Sequence, residues 1–278
     1  MSSSDTSDAQ PEWMRESGLP PVTAVPDPRN AAIRISTGAP LPPPVLVLGG
    51  SGGSGSTTTA AGLGSVLASD GHAAVLVDAT PAGGDAALRT SDESRGLASV
   101  QTWLASGEPY LPESIDQACG KSKSGMRVLG RGDEPFPGRE TMVSVHRHLT
   151  AAGHVPVYDA GAPAQSRLIR PLLYDPRVPV VMTVSARADA ANRLLPVLQW
   201  LDREFGEFVV RDCAIAVTAQ APDAADIASH LRKHLDGWVR TVVAVPYDPH
   251  LASGSLITWK ELRAETRSAY ADLLAALR

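Results

Sequence analysis

The sequence predicts an α/β fold: a three-layer domain with a mainly parallel sheet of about seven strands and helices on both faces. Three observations lead there. From Val45 onward, short and continuously apolar runs alternate with longer amphipathic stretches. Strands that are apolar on both faces, each followed by a helical pattern, describe a buried parallel sheet built from crossover units. Directly after the first apolar run comes a glycine-rich loop that opens into a helical pattern. No repeat of fixed period interrupts this alternation.

Taken in order, residues 1–44 are rich in Ser, Asp, Pro and Ala and close on Pro42–Pro44. Such a segment cannot bury enough apolar surface to offset its ordering entropy, so it is expected to be a disordered tail. Trp13, Met14 and Leu19 form an apolar island in it, read as a short docking motif or as incidental apolar residues. The expected domain spans 45–278. Its strands are Val45–Leu48, Ala74–Val77, Met126–Leu129, Val155–Tyr158, Val178–Val184, Cys213–Val217 and Thr241–Val245. Helical patterns cover about 57–69, 94–105, 138–152, 164–175, 187–204, 222–236 and 258–277. In such a sheet, functional groups belong just after the C-terminal ends of strands.

Composition narrows the function. The 278 residues are 43% apolar and 5% aromatic and carry a formal net charge of −5. That length builds a full core. No run of ~18 apolar residues is present, so no membrane span is expected. The polar, acidic start MSSSDTSDAQPEW has no signal-peptide pattern. Cys119 and Cys213 lack a CxxC partner, which excludes a zinc ribbon or a disulfide scaffold and fits a reducing cytoplasm. The acidic balance argues against a global nucleic-acid footprint but leaves a local patch open. The only lysines are Lys121, Lys123, Lys233 and Lys260.

The informative segment is VLVLGGSGGSGSTTTAAGLGSVLA, residues 45–68. Glycines let the backbone curl so that several N–H groups point inward, and a helix N-terminus adds partial positive charge. The loop is therefore suited to phosphate, the alternative being a glycine-rich turn without a ligand. Two nucleotide motifs compete. Gly50 and Gly55 have the spacing of a phosphate-binding P-loop, with Thr57 at the Mg²⁺-ligand position but Ser56 where the lysine belongs. Gly50, Gly52 and Gly55 also match the dinucleotide fingerprint G-x-G-x-x-G, with Asp78 placed to hold a ribose hydroxyl in a Rossmann-type NAD-binding protein. Asp78 opens DATPAGGD and Asp159 opens DAGAP, each an acid at a strand end before a Gly/Pro loop. Two such loops facing one phosphate loop suit a Mg²⁺–nucleotide site with two switch segments. None of the five tyrosines has a lysine four residues on, so the usual dehydrogenase proton-relay pair is missing.

These residues resemble the MinD/ParA family of deviant P-loop ATPases. The family loop K-G-G-x-G-K-[ST]-[ST] corresponds to Ser51-Gly52-Gly53-Ser54-Gly55-Ser56-Thr57-Thr58. Its D-x-D-P-x-G-N loop corresponds to Asp78-Ala79-Thr80-Pro81-Ala82-Gly83-Gly84, and its D-x-(G/P) switch to Asp159-Ala160-Gly161. VPYDPHLA (245–252) resembles the V-P-x-D loop that lies against the nucleotide base. The closing run from Val245 is similar to actinobacterial MinD-like proteins, some encoded with type VII secretion systems and others on mobile elements. The resemblance covers about 45–277. It implies a MinD/ParA-like P-loop NTPase fold and ATP or ADP with Mg²⁺ as ligand. It implies nucleotide contacts from Gly50 to Thr58 and from Gln220, Pro246 and Asp248, with Mg²⁺ held by Thr57, Asp78 and Asp159. Asp159, read on its own, is a switch residue by its strand-end position, the alternative being a helix cap. Thr183 and Ser185 occupy strand-end positions that face the nucleotide in the family.

The chain departs from the family at charged positions. The deviant lysine is Ser51, the phosphate lysine is Ser56, and the water-positioning Asp is Thr80. Phosphoryl transfer depends on positioning and charge neutralisation. Losing one such donor costs roughly 10²–10³ in rate, by analogy with an oxyanion-hole donor. Hydrolysis is therefore expected to be weak or absent, with Asp78 and Asp159 the remaining catalytic candidates. Cations that would restore a slow genuine ATPase are Arg89, Arg95, Lys121, Lys123, Arg127 and Arg131, whose plainer reading is solvated surface charge. With Ser51 in place of lysine, a homodimer not driven by ATP, or a monomer, is expected. The implied partner is a protein in a larger secretion, conjugation or partitioning machine. His146, His148 and His154 have no carboxylate or Cys at metal spacing and read as ordinary surface or core histidines. The final helix has too mixed a polar face for a membrane surface and is expected to pack on the sheet.

Overall fold

The computed structural model describes residues 41–278 apart from Glu108 and Tyr110. The tail reading of residues 1–40 and its Trp13 motif lie outside the described residues. Leu41–Arg278 form one compact unit, so the Pro42–Pro44 run sits with the domain. The strands are β1 (Val45–Gly49), β2 (Ala74–Asp78), β3 (Gly120–Lys121), β4 (Arg127–Leu129), β5 (Val155–Gly161), β6 (Val180–Ser185), β7 (Ala214–Thr218) and β8 (Thr241–Val245). The helices are α1 (Ser56–Ser69), α2 (Ala86–Thr90), α3 (Val100–Ala105), α4 (Pro112–Ala118), α5 (Thr141–Ala151), α6 (Arg170–Leu173), α7 (Ala188–Phe205), α8 (Glu207–Arg211), α9 (Ile227–His234), α10 (Pro249–Ala252) and α11 (Ala264–Ala275). No helix among the described residues is long and apolar enough to cross a membrane.

The eight strands form one sheet in the order β3-β4-β2-β5-β1-β6-β7-β8, parallel throughout except for β3. Seven of them overlie the predicted apolar runs. The eighth, β3, pairs antiparallel with β4 at one edge and is too short to leave a pattern. Side chains alternate across the sheet as the pleat requires. Leu46 and Leu48 of β1, Val75 and Val77 of β2, and Ile215 and Val217 of β7 face one core, shared with α3 to α9. Val45 and Val47, Ala74 and Leu76, and Ala214 and Ala216 face the other, under α1 and α11. This is the three-layer arrangement, with both sheet faces covered.

Helix α1 is buried along a face that mixes small residues, Ala60, Ala61, Gly62 and Gly64, with Leu63, Val66 and Leu67, and Gly62 lies against Tyr270 of α11. Helix α11 packs along α1 and β8 through Ala269, Tyr270, Leu273 and Leu274, so its apolar face is buried inside the domain. Several helices are shorter than the apolar patterns suggest. The 94–105 pattern becomes α3 alone, because Ser99 and Thr102 form a reciprocal cap that starts the helix at Val100. The 164–175 pattern shrinks to the single turn of α6. The 258–277 pattern divides into a 3₁₀ turn, Trp259–Glu261, and α11.

Strand β1 sits between β5 and β6: the chain runs from β1 to β2 on one side and crosses to the other side of β1 only between β5 and β6. The strand order therefore reverses at β1, and the crevice beyond its C-terminal end is where α/β proteins place ligands.

Candidate functional site

The glycine loop occupies that crevice. Its backbone is bound to the sheet through Gly50 N–H donating to the Thr183 carbonyl at 2.9 Å. Ser54 Oγ and Thr183 Oγ1 share a hydrogen bond of 2.9 Å, and Thr218 Oγ1 donates to the Ser54 carbonyl at 3.0 Å. The Gln220 amide donates to the Gly53 carbonyl and, at 3.1 Å, to Ser185 Oγ. Strand ends β6 and β7 thus hold the loop from below, through Thr183, Ser185, Thr218 and Gln220. Gly55 enters α1 with φ +85°, a left-handed conformation that favours glycine. Helix α1 has no side-chain cap and no acidic residue in its first turn. Its partial positive charge is therefore directed at the crevice without internal compensation.

The two acids meet on adjacent strands. Asp78 of β2 and Asp159 of β5 are in register, and both are buried. Thr57 Oγ1 donates to Asp159 Oδ2 at 2.6 Å, and Gly161 N–H donates to Asp159 Oδ1 at 3.2 Å. Burial pushes the Asp159 carboxyl up to about 6, opposed by the Thr57 hydrogen bond and reinforced by the Asp78 charge. Burial also raises Asp78. Asp78 Oδ1 accepts from Thr80 Oγ1 at 2.6 Å, and Asp78 Oδ2 accepts from Ala86 N–H at 3.3 Å. Thr80, where the family has an acid, therefore serves as a donor to Asp78. An aspartate at that position would place a third carboxylate against a buried acid pair.

Beside the loop lies a cleft of about 470 Å³. Of the residues proposed for nucleotide contact, Gly53, Gly55, Ser56, Thr57, Thr58, Gln220, Pro246 and Asp248 line it. Gly50, Ser51, Gly52 and Ser54 lie elsewhere in the loop, Ser54 being buried beneath it. The Asp248 carboxylate is already engaged: it accepts from His250 N–H and Arg263 N–H, both at 2.9 Å. Sequence reasoning missed Thr218 and the wall made by Leu251, Ala252, Gly254 and Tyr270. Only the V-P-x-D pattern pointed to that wall.

The candidate cations are now distinguishable. Arg127 pairs with Asp116. Arg131 donates to the carbonyls of Thr80, Gly132 and Glu134 and lies over the Phe136 ring. Arg95, Lys121 and Lys123 are exposed and outside the cleft. Arg89 alone among the six lines it. Of the three histidines, His146 hydrogen-bonds the Tyr158 hydroxyl, His148 stands edge-on to Trp103, and His154 lies at the opposite end of the sheet from the glycine loop. Both cysteines are free and buried, and burial pushes each thiol up to about 12.

The donor set suits a hard cation. Thr57 hydroxyl and Asp159 carboxylate are oxygen ligands of the kind Mg²⁺ takes alongside phosphate and water. The cleft volume lies within the range of small-molecule sites. Topology also separates the two nucleotide motifs. In the dinucleotide fold the second strand lies beside the first, so that its acid reaches the ribose. Here β5 stands between β1 and β2. Asp78 is 1% exposed, faces Thr80 and Ala86, and does not line the cleft.

A glycine loop at the end of the central strand β1, opening into an uncapped helix with acids at the ends of two neighbouring strands, defines a P-loop-type α/β fold. Within that class, the fold is that of the MinD and ParA ATPases. A ParA family ATPase from Chlorobium tepidum TLS aligns with a TM-score of 0.67 at 14% identity, over 85% of this chain and 99% of that one. MinD in the MinC:MinD cell division complex of Aquifex aeolicus aligns at 0.60 and 19% identity, over 84% and 95%. The septum site-determining protein MinD of Pyrococcus horikoshii OT3, complexed with Mg-ADP, aligns at 0.60 and 13%, over 83% and 94%. At these identities the likeness establishes the fold. No protein-family model and no curated protein matches the chain.

Proposed function

We propose that this chain is a cytoplasmic, MinD/ParA-like nucleotide-binding protein that acts as a regulatory pseudo-ATPase. It binds ATP or ADP with Mg²⁺ and turns over weakly or not at all. The observation that carries this is the combination at the loop: the uncapped first turn of α1 lines the cleft, its Thr57 is hydrogen-bonded to the buried Asp159, and both lysine positions hold serine. Backbone N–H groups, the helix dipole and Mg²⁺ at Thr57 remain able to hold phosphate. The loop lysines and the water-positioning acid of the family pattern are replaced by Ser51, Ser56 and Thr80, which removes the groups on which phosphoryl transfer in that pattern depends.

In this reading Thr57 would be the residue that holds Mg²⁺, with the buried Asp159 acting through its hydrogen bond to Thr57 and Asp78 beside it on the neighbouring strand, while Gln220 and Pro246 line the same cleft. When bound, the cation would supply positive charge to the phosphate group. The P. horikoshii MinD neighbour complexed with Mg-ADP supports this ligand class. The output is a protein–protein interaction, as the MinC:MinD neighbour illustrates for MinD. The partner belongs to a larger secretion, conjugation or partitioning machine, and any homodimer forms without ATP.

Titration calorimetry with Mg-ATP, Mg-ADP and NADH, paired with a phosphate-release assay, tests the reading. Adenine-nucleotide binding without phosphate release above background is expected. Ser56→Lys should bind more tightly. Turnover that disappears in Thr57→Ala would show a genuine ATPase instead. Binding of NADH alone would favour the dinucleotide reading.

A further inference from the structure

We infer that Arg89 is the phosphate-facing cation of this site and compensates for the missing loop lysine. The inference rests on the nucleotide reading above and names the residue that carries its charge recognition. Arg89 is the only basic residue lining the cleft among the described residues, and it shares that lining with Ser56, Thr57 and Thr58 of the loop. Its guanidinium has no ion-pair partner among the described residues. Its Nε is buried and makes no hydrogen bond. Among the described residues the one acid lining the cleft is Asp248, whose carboxylate accepts from two backbone N–H groups and makes no ion pair with Arg89. A buried donor on a permanent cation with nothing to bind is unfavourable, and an anion in the cleft resolves it.

The position is also built. Arg89 N–H donates to the Asp85 carbonyl at 3.0 Å within α2, and the Arg89 carbonyl accepts from Ile257 N–H at 2.6 Å. The next residue, Thr90, is buried and donates to the Ala86 carbonyl at 2.6 Å. Helix α2 is thus fixed between the Asp78 loop on one side and the segment after α10 on the other. A guanidinium presents a planar fork of donors to phosphate oxygens, whereas an ammonium acts as a point charge. The family-type lysine would have come from the loop itself, while this cation comes from a different element, α2, that borders the same cleft.

The test is calorimetric binding of Mg-ADP, inorganic pyrophosphate and adenosine to wild type, Arg89→Ala, Arg89→Lys and Ser56→Lys. Arg89→Gln is added so that a folding defect in one variant does not decide the outcome, and thermal melts check each protein. The expected result is a roughly 10- to 100-fold loss of Mg-ADP affinity in Arg89→Ala and Arg89→Gln, by the strength of charge-assisted hydrogen bonds. Arg89→Lys should be intermediate, and adenosine should bind all proteins alike. Equal Mg-ADP affinity in wild type and folded Arg89→Gln overturns the role of Arg89 and leaves the nucleotide site standing. Arg89-dependent pyrophosphate binding without any nucleotide binding keeps Arg89 as an anion site and overturns the nucleotide reading. Binding of Mg-ADP and pyrophosphate only by Ser56→Lys, and never by wild type, overturns both.

Discussion

Asp159 connects the chemistry of the site to the stability of the protein. Its carboxyl is buried against Asp78 and held at about 6, above the ordinary 3.8. An acid whose folded pKa is raised binds its proton more tightly in the folded state. Its contribution to stability is full below the unfolded pKa and is lost as pH rises through the folded one. Wild type should therefore lose stability relative to Asp159→Asn between about pH 4 and about pH 7. Paired thermal melts across that range measure it, and a wild type that holds or gains stability relative to Asp159→Asn as pH rises would contradict the burial argument. Thr57 gives a second prediction. Its hydroxyl, now donating to Asp159, is the group assigned to Mg²⁺. Thr57→Ala should make Mg-ADP affinity insensitive to chelation by EDTA, whereas wild type should weaken when the metal is removed.

At the scale of elements, α1 shows how packing overrides propensity. Glycine inside a helix costs about 1 kcal/mol relative to alanine, so Gly62→Ala would ordinarily stabilise. Here a Cβ on Gly62 would lie 2.4 Å from the Tyr270 ring of α11. Overpacking of this kind costs about 1–3 kcal/mol. Gly62→Ala should therefore lower the melting temperature by roughly 2–10 °C for a domain of this size. A rise in melting temperature would show that α11 moves freely aside.

The same scale shows what was legible in the sequence. The β1–loop–α1 unit, the acids at the ends of β2 and β5, and seven strands were readable, because buried parallel strands are written as unbroken apolar runs. Helices α2 and α10, and the strand β3, were not readable. Each is a turn or two long, and tertiary contacts hold it, such as the Ile257–Arg89 backbone bond. Arg89 was visible only as one of six candidate cations. Its isolation depends on α2, which has no periodicity to read.

For the whole molecule, the testable property is assembly. The loop position that carries the family's dimer-bridging lysine is Ser51, which lies outside the cleft. Light scattering after size exclusion should give the same mass with and without Mg-ATP. A mass that doubles only with Mg-ATP would defeat this expectation. Ser51→Lys together with Ser56→Lys is the variant in which nucleotide-driven pairing should appear, if the fold alone supports it.

The sheet order also dictates when the site comes into being. Val45 pairs with Val157 and Leu46 with Val180, so neither neighbour of β1 belongs to the chain that has left the ribosome when β1 emerges. Contacts this distant in sequence close late, after a large loop entropy has been overcome. The glycine loop is among the first parts of the domain to be synthesised and among the last to acquire its shape. Its tethers Thr183 and Thr218 arrive later still. Throughout that interval β1 is an apolar strand with two open edges, the kind of segment that chaperones shield from aggregation.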